Sequence, residues 1–165
     1  MPIADSLLGE LEQEAKATRR VLERVPDAKL SWRPHAKSMS LGQLAQHIAQ
    51  MPGQISGMAT QSPFPLRAFS QEPAPSTAAA LQTFDDSMAA ARANLAALSD
   101  DHLTRPWRAV NGDRVMMEVP TAVMLRTIML NHWYHHRGQM SVYLRLLDVP
   151  LPSVYGPSAD ENPFA

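Results

Sequence analysis

A segment near the end of the chain combines helical periodicity with three histidines. Within Asn131 to Gln139, His132 and His136 stand four residues apart. On a helix they lie on one face, about 6 Å apart along the axis, where two imidazoles can bind one metal ion. Apolar residues recur on the same stripe: Leu125, Ile128, Met140, Tyr143 and Leu147. Both histidines should therefore point into the protein, where a shared metal would give them the partner that buried polar groups need.

Two further segments have the spacing of amphipathic helices. The first helix is predicted from about Asp5 or Ser6, either of which can cap it, to Arg24, because apolar residues recur there and Pro26 follows. A third helix is predicted over residues 76–98. Its alanine-rich composition allows close approach of a neighbouring helix.

The second helix has a distinct start at Ser40. Together with Gln43 it forms a capping box, in which each side chain satisfies the other's backbone amide. His47 falls on the apolar stripe of this helix. Pro52 is expected to bend or break it, because proline lacks an amide and clashes with the preceding turn. The proline-rich residues 61–77 that follow are predicted to form a long loop or irregular turns.

The pattern changes before the last helix. Asn111-Gly112 is a strong tight-turn signal and can join two short strands within residues 103–119. The last helix should begin near Pro120 and run to about Leu147. Four long amphipathic helices predict an all-α, four-helix bundle with a short β-hairpin before the last helix, as a single domain over residues 1–165.

Three inward histidines are the candidate ligands of one metal ion: His47, His132 and His136. Three neutral imidazoles leave a coordination position open for water or substrate, as in catalytic sites. His135 is a competing ligand, but it lies about 100° around the helix from His136, and the apolar stripe favours His136. His47 alone also fits a hydrogen-bonded core residue, and that alternative stays open.

Composition excludes several kinds of function. The chain has no cysteine, which removes disulfides, Cys-ligated zinc and a thiol nucleophile. A net charge of −1 without a basic block argues against a nucleic-acid surface. We see neither a signal peptide nor an apolar run of the ~20 residues that a membrane span needs. We therefore expect a cytoplasmic protein with no nucleic-acid or membrane partner. The ten methionines fall mostly at helical core positions and are interpreted as core filler.

Four stretches of the chain resemble the DinB-like (YfiT-like) family of metal-dependent proteins. They are Leu30 to His35, Ser38 to Ala49, Asn131 to Gln139, and Val154 to Ser158. The resemblance implies a four-helix bundle, often dimeric, whose three histidines bind a divalent metal. Carried over residue by residue, these are His47, His132 and His136. Relatives include transferases and isomerases that use low-molecular-weight thiols, and metal-dependent hydrolases.

The leading hypothesis is a metal-dependent enzyme that acts on a small molecule by thiol transfer or hydrolysis. Zinc and nickel both suit imidazole ligands. Because the chain lacks cysteine, any thiol must come from a cosubstrate. Trp32 and Tyr155 are predicted to line the substrate pocket. Arg137 fits either an anionic substrate group or, more simply, a structural salt bridge.

Two other interpretations remain. The protein is either a non-catalytic metal-binding stress-response or interaction module, in which a fourth protein ligand closes the coordination sphere, or a metal-free helical dimer whose histidines are satisfied by hydrogen bonds. We expect a homodimer, both from the resemblance and from the alanine-rich third helix.

Overall fold

Four long helices form a bundle, as the sequence predicts, in the computed structural model of the protein, which describes residues 2–66 and 71–164. In chain order the elements are α1 (Ile3–Leu22), a 3₁₀ turn (Asp27–Lys29), α2 (Leu41–Met58), β1 (Phe64–Pro65), α3 (Thr77–Ala96), α4 (Asp100–Thr104), β2 (Pro106–Asn111), β3 (Arg114–Pro120), α5 (Thr121–Met124), a π-helical segment (Leu125–Asn131) and α6 (His132–Leu146). The last three follow one another without a break and are together called the final helix.

The core lies between the apolar stripes of the long helices. Each contributes at least one side chain that is at most 1% exposed: Leu11, Leu44, Leu95, Leu125 and Trp133. Burial of such stripes, more than intrinsic helix propensity, stabilises helices of this length. Within the described residues, no helix is both long enough and apolar enough to cross a membrane.

The start of α1 differs from the prediction. The helix begins at Ile3, and neither Asp5 nor Ser6 caps it. Instead, the Ile3 amide donates a 2.8 Å hydrogen bond to the carboxylate of Asp100, at the start of α4. A carboxylate satisfies the free amides of a helix N-terminus wherever it comes from in the chain. This cap is nearly a hundred residues away, so local sequence does not reveal it.

Helix α2 begins with the predicted capping box of Ser40 and Gln43. Of the two effects expected of Pro52, a bend or a break, the break does not occur, since α2 continues through Pro52 to Met58. The carbonyl of Ile48, which would accept a hydrogen bond from an amide at position 52, accepts one from the indole of Trp133 on α6. A partner from another helix therefore compensates for the missing amide.

Helix α3 begins after Ser76, whose side chain caps it. As predicted from its small residues, it allows a neighbouring helix to come close. A Cβ atom added to Gly53 of α2 would lie 2.9 Å from the Ser87 carbonyl oxygen. The Gly53 amide donates a 2.8 Å hydrogen bond to Ser87 Oγ. The close contact is thus made by two helices of the same chain.

A small sheet precedes the final helix. Its strands β2 and β3 form the predicted antiparallel hairpin around Asn111-Gly112, where Gly112 has a φ of +57°. Strand β1 pairs with β2 in parallel and was not predicted. It lies in the expected loop of residues 61–77, of which residues 67–70 are outside the described part. The short helix α4 was also not predicted.

The final helix extends over the predicted range but changes its hydrogen-bonding pattern just before His132. The wider π turn shifts the helical phase, so that the predicted inner stripe does not run straight through it. Trp133 and Met140 are fully buried, while Ile128 and Tyr143 are only partly buried. The helix ends at Leu146, and Asp148 has a φ of +56°, so the left-handed residue ends it before the prolines do.

Candidate metal centre

Three imidazole rings from two helices meet at one point. His47 comes from α2, and His132 and His136 come from successive turns of α6. Their potential ligand atoms all lie within 4.8 Å of one another. The ring centre of His47 is 4.5 Å from that of His136 and 5.5 Å from that of His132. His136 is buried, and the other two are half-buried. The cluster is able to hold a metal ion.

Hydrogen bonds orient the two rings of α6. Nδ1 of His136 is 2.8 Å from the Gln139 side-chain oxygen, which can only accept, so Nδ1 carries the proton. The His132 ring is hydrogen-bonded to the backbone of Ile128. The Nε2 atoms of His132 and His136 then face each other across 2.7 Å. At this distance the two nitrogens must share either a proton or a cation, so the donor set fits a metal ion.

Burial favours the neutral form of all three rings. It lowers the pKa of His136 to about 4, and the neighbouring imidazoles add to this effect. Burial also lowers the pKa of His47 and His132, with smaller contributions from His132 and His135, respectively. A neutral imidazole is the form that binds a metal. The metal-free cluster therefore keeps its ligands deprotonated at neutral pH.

His135, the competing ligand, is exposed, and it does not belong to this group. Its ring stacks 6.5 Å from that of His132. Three carboxylates that could otherwise serve as additional ligands pair with arginines: Glu118 with Arg108, Asp160 with Arg145, and Glu161 with Arg20. Over residues 2–66 and 71–164, the three histidines form a cluster without a carboxylate.

Arg137, the residue after His136, makes a structural ion pair. It is buried, and its guanidinium lies 2.6 Å from the carboxylate of Glu14 on α1. It also donates hydrogen bonds to the Glu14 carbonyl, the Thr18 hydroxyl and the hydroxyl of Tyr155. Arg137 thus forms the structural salt bridge that was the simpler of the two interpretations. Its contacts hold α6 against α1.

Trp32 and Tyr155, predicted to line a substrate pocket, lie in other surroundings. The Trp32 ring packs edge-on against Tyr143, with ring centres 5.6 Å apart. The hydroxyl of Tyr155 donates to Glu14 over 2.8 Å, while most of the side chain is exposed. Neither residue lines the cavity that adjoins His47 and His132. Their assignment to the substrate stays a prediction.

The cavity beside the histidines was missed by sequence reasoning. Residues of α2, the π-helical segment and the hairpin line it, and they include Met116 and Met117. We interpreted the methionines as core filler, but these two are about half exposed. Two consecutive apolar residues next to a tight turn were the available signal.

The fold and the site define a class of protein: a helical bundle whose core presents a three-histidine cluster able to hold a metal ion. Residues 1–162 match the sequence profile of the DinB family, and the chain belongs to this family. The uncharacterized protein YrdA of Bacillus subtilis (strain 168) is 27% identical over 161 residues, which cover 95% of this chain and 90% of the relative.

Solved structures of two other proteins have a fold similar to that of this chain. A DinB-like protein from Bacillus cereus ATCC 10987 superposes with a TM-score of 0.71 at 25% identity, over 92% of this chain and 97% of the other. The DinB-like protein YjoA from Bacillus subtilis gives a TM-score of 0.68 at 18% identity, over 90% and 96% of the two chains. The family resemblance drawn from the sequence motifs is thereby confirmed.

Proposed function

We propose that the protein binds one divalent metal ion through His47, His132 and His136 and is a metal-dependent enzyme acting on a small molecule. One observation carries the proposal: the Nε2 atoms of His132 and His136 lie 2.7 Å apart, while the Gln139 side chain is hydrogen-bonded to Nδ1 on the opposite side of the His136 ring. Zinc and nickel are the metals we propose, because imidazole suits both.

The ligand set supports an open site. The cluster contains three neutral donors and, in the described part of the chain, no carboxylate. A structural site would need a fourth protein ligand to close the coordination sphere. Three neutral ligands leave the charge of a dipositive ion uncompensated, which favours a bound anion. When bound, the metal would supply a Lewis acid that lowers the pKa of water or of a thiol.

The residues of the chain would prepare the site for that chemistry. Gln139 holds His136 in the tautomer that presents Nε2, and burial keeps the rings neutral. A substrate bound in the apolar cavity beside His47 and His132 would displace water from one side of the site, which strengthens electrostatic interactions within it. We favour thiol transfer over hydrolysis because of the family resemblance, with a low-molecular-weight thiol as cosubstrate, since the chain has no cysteine.

We also propose that the active form is a homodimer with two-fold symmetry. The support is the resemblance to a commonly dimeric family, and two-fold dimers are the most frequent soluble oligomers. The alanine-rich helix α3 gives weaker support than the sequence suggested, because Ser87 of that helix already contacts Gly53 of α2 within the chain.

The direct test is the metal content of protein purified without a histidine tag. We expect about one zinc or nickel ion per chain in the wild type and loss of stoichiometric binding in His132→Ala. His135→Ala is the matched control, because it removes an exposed imidazole from the same helix. Retention of metal in His132→Ala together with its loss in His135→Ala would show that the ligand assignment is wrong.

Catalysis is tested separately on the metal-loaded protein. We expect activity towards an electrophile in the presence of a small thiol, or towards simple esters, and its loss in His132→Ala but not in His135→Ala. A crystal structure of the metal-loaded protein should show water or a small ligand on the ion. A fourth protein ligand in that position would reject the enzyme proposal and leave the structural module.

A further inference from the structure

A cavity of about 210 Å³ adjoins two of the three histidines. His47 and His132 form part of its lining, so a molecule within it would lie beside the cluster. On the opposite side, the cavity is lined by the hairpin, including Ala109 of β2 and Met117 of β3. A bound molecule would therefore lie between the helical bundle and the sheet.

The lining is almost entirely apolar. Besides the two histidines, ten of the described residues line it, and Gln54 is the single polar one among those ten. Trp107 offers no donor to the cavity, because its Nε1 donates a 2.9 Å hydrogen bond to the carbonyl of Met58. In the described part of the chain the lining carries no carboxylate, lysine or arginine. A charged group would lose its hydration there without a compensating partner.

An irregularity in the hairpin places two methionines on this cavity. Ala109 pairs with Met117 and Val110 pairs with Val115, so Met116 is an extra residue without a partner on β2. Consecutive residues of a regular strand point to opposite faces, whereas a bulge changes the direction of a side chain. Both Met116 and Met117 line the cavity.

The cavity opens to solvent between apolar side chains. Leu66, Met116 and Met117 belong to its lining and are 43%, 48% and 40% exposed. Methionine is unbranched and adapts its shape to different apolar partners. An apolar molecule can therefore enter between flexible side chains, and none of the described residues that line the cavity is an acid, a lysine or an arginine.

The volume limits what can bind. An apolar protein cavity of about 150 Å³ holds a benzene molecule. The cavity beside the histidines is somewhat larger, at about 210 Å³. It therefore admits one aromatic ring with a small substituent, and a long acyl chain or a fused polycyclic compound would not fit inside it.

We propose that this cavity binds the apolar end of an uncharged small substrate, a single aromatic ring or a branched alkyl group of similar size, whose polar reacting group faces His47 and His132. The position of the reacting group rests on the proposed function. The binding of the apolar end depends on the cavity alone, and it can therefore be tested without a metal.

The first experiment uses 4-fluorotoluene as the probe and metal-free protein kept in chelator. Fluorine NMR should show saturable binding to the wild type. Ala109→Leu fills the cavity and Met117→Asp places a charge at its opening, so each should weaken binding about tenfold, the loss expected when an apolar group of this size is no longer buried. Thermal unfolding should show that both variants are folded.

Val115→Asp is the matched control. Val115 lies on the same strand as Met117 and is 49% exposed, but it does not line the cavity. The same charge placed there should leave binding of 4-fluorotoluene unchanged. Equal weakening in Val115→Asp and Met117→Asp would overturn the proposal, as would failure of the wild type to bind the probe.

The second experiment compares benzohydroxamate and acetohydroxamate on zinc-loaded protein by calorimetry. The two compounds share a metal-binding group, so a dissociation constant about tenfold lower for benzohydroxamate would show that its ring binds in the cavity. We expect Ala109→Leu to remove the difference. Failure of zinc and both hydroxamates to bind, while 4-fluorotoluene still binds, would reject the metal proposal and support the cavity. If 4-fluorotoluene is released when the chain self-associates, a second copy of the chain covers the cavity, and the substrate proposal is wrong.

Discussion

The indole Nε1 of Trp133 donates a hydrogen bond of 2.9 Å to the backbone carbonyl of Ile48. This carbonyl lacks its helical partner because Pro52, four residues later, has no amide. Ile48 follows His47 and Trp133 follows His132, so the bond joins α2 to α6 directly beside two of the proposed ligands. Pro52 thus helps to align the histidines, because it leaves the Ile48 carbonyl free to accept a hydrogen bond from Trp133.

Replacing Trp133 by Phe should weaken both folding and metal binding. The variant leaves a buried carbonyl without a partner, which costs about 1–3 kcal/mol. We also expect zinc affinity to fall by about tenfold, as for other groups that position metal ligands. Urea unfolding and a zinc titration against a competing chelator measure the two effects.

Trp107→Phe is the matched control for this prediction. Trp107 is also buried, and it donates an indole hydrogen bond of the same length to Met58 at the end of α2. This variant should lose comparable stability and keep its zinc affinity. Equal zinc affinities in the two variants would contradict a positioning role for Trp133.

Features encoded by neighbouring residues could be predicted from the sequence. The capping box at Ser40 and the turn at Asn111-Gly112 depend on a few consecutive residues, and both are confirmed. The histidine cluster followed from the helical spacing of His132 and His136 and from one further inward histidine. Metal binding by this cluster is still a prediction.

Features that depend on distant partners could not be predicted. Asp100 caps α1 from nearly a hundred residues away, and Trp133 compensates for the proline in α2. The bulge at Met116 follows from how β3 pairs with β2, which no local pattern specifies. The cavity is lined by residues from α2, the hairpin and the final helix, which lie far apart in the sequence, so no local pattern indicated it. The assignment of Trp32 and Tyr155 to the substrate stays a prediction.

Arg137→Met should strongly destabilise the protein. Arg137 and Glu14 have side chains that are only 3% and 9% exposed, and removing one partner leaves the other charge buried. Such a loss costs about 3–5 kcal/mol. The double variant Glu14→Leu, Arg137→Met removes both charges and should recover much of the loss. Urea unfolding of the single and double variants tests this, and a double variant no more stable than Arg137→Met would contradict the explanation.

The stability of the metal-free protein should depend on pH between about 4 and 6.5. Burial lowers the pKa of His136 to about 4 and also lowers the pKa of His47 and His132. In the unfolded chain a histidine titrates near pH 6.5, at about its ordinary pKa. The unfolded state therefore binds more protons in this window, so the free energy of unfolding is highest above pH 6.5 and falls as the pH approaches 4.

Urea unfolding at pH 4.5, 5.5 and 7 measures this dependence, and His136→Gln should flatten it, because glutamine does not titrate. The proposed metal ligands must be neutral, so zinc occupancy should fall over the same range. A free energy of unfolding that is constant between pH 4.5 and 6.5 would contradict the first expectation. Zinc that stays fully bound in chelator at pH 5 would count against an open three-histidine site.

The homodimer is tested by light scattering at micromolar concentration. We expect twice the monomer mass of 18.2 kDa. Measurements with and without zinc should agree, because the three histidines come from one chain and their assembly needs no partner. A mass of 18.2 kDa under these conditions would show that the proposed dimer is wrong.

Gln139 should determine the zinc affinity of the site without contacting the metal itself. Its side-chain oxygen lies 2.8 Å from Nδ1 of His136 and fixes the proton there, which leaves Nε2 free to face His132. Gln139→Leu removes this acceptor, so the proton can move to Nε2 and the ring can rotate. We expect zinc affinity to fall by about 10–100-fold.

Gln139→Glu keeps an acceptor at the same position and should retain most of the affinity. Gln82→Leu on α3 removes an exposed glutamine that bonds to Asp86 and should leave affinity unchanged. Equal zinc dissociation constants for Gln139→Leu and Gln82→Leu, measured by chelator competition at pH 7, would show that the hydrogen bond to His136 does not position the ligand.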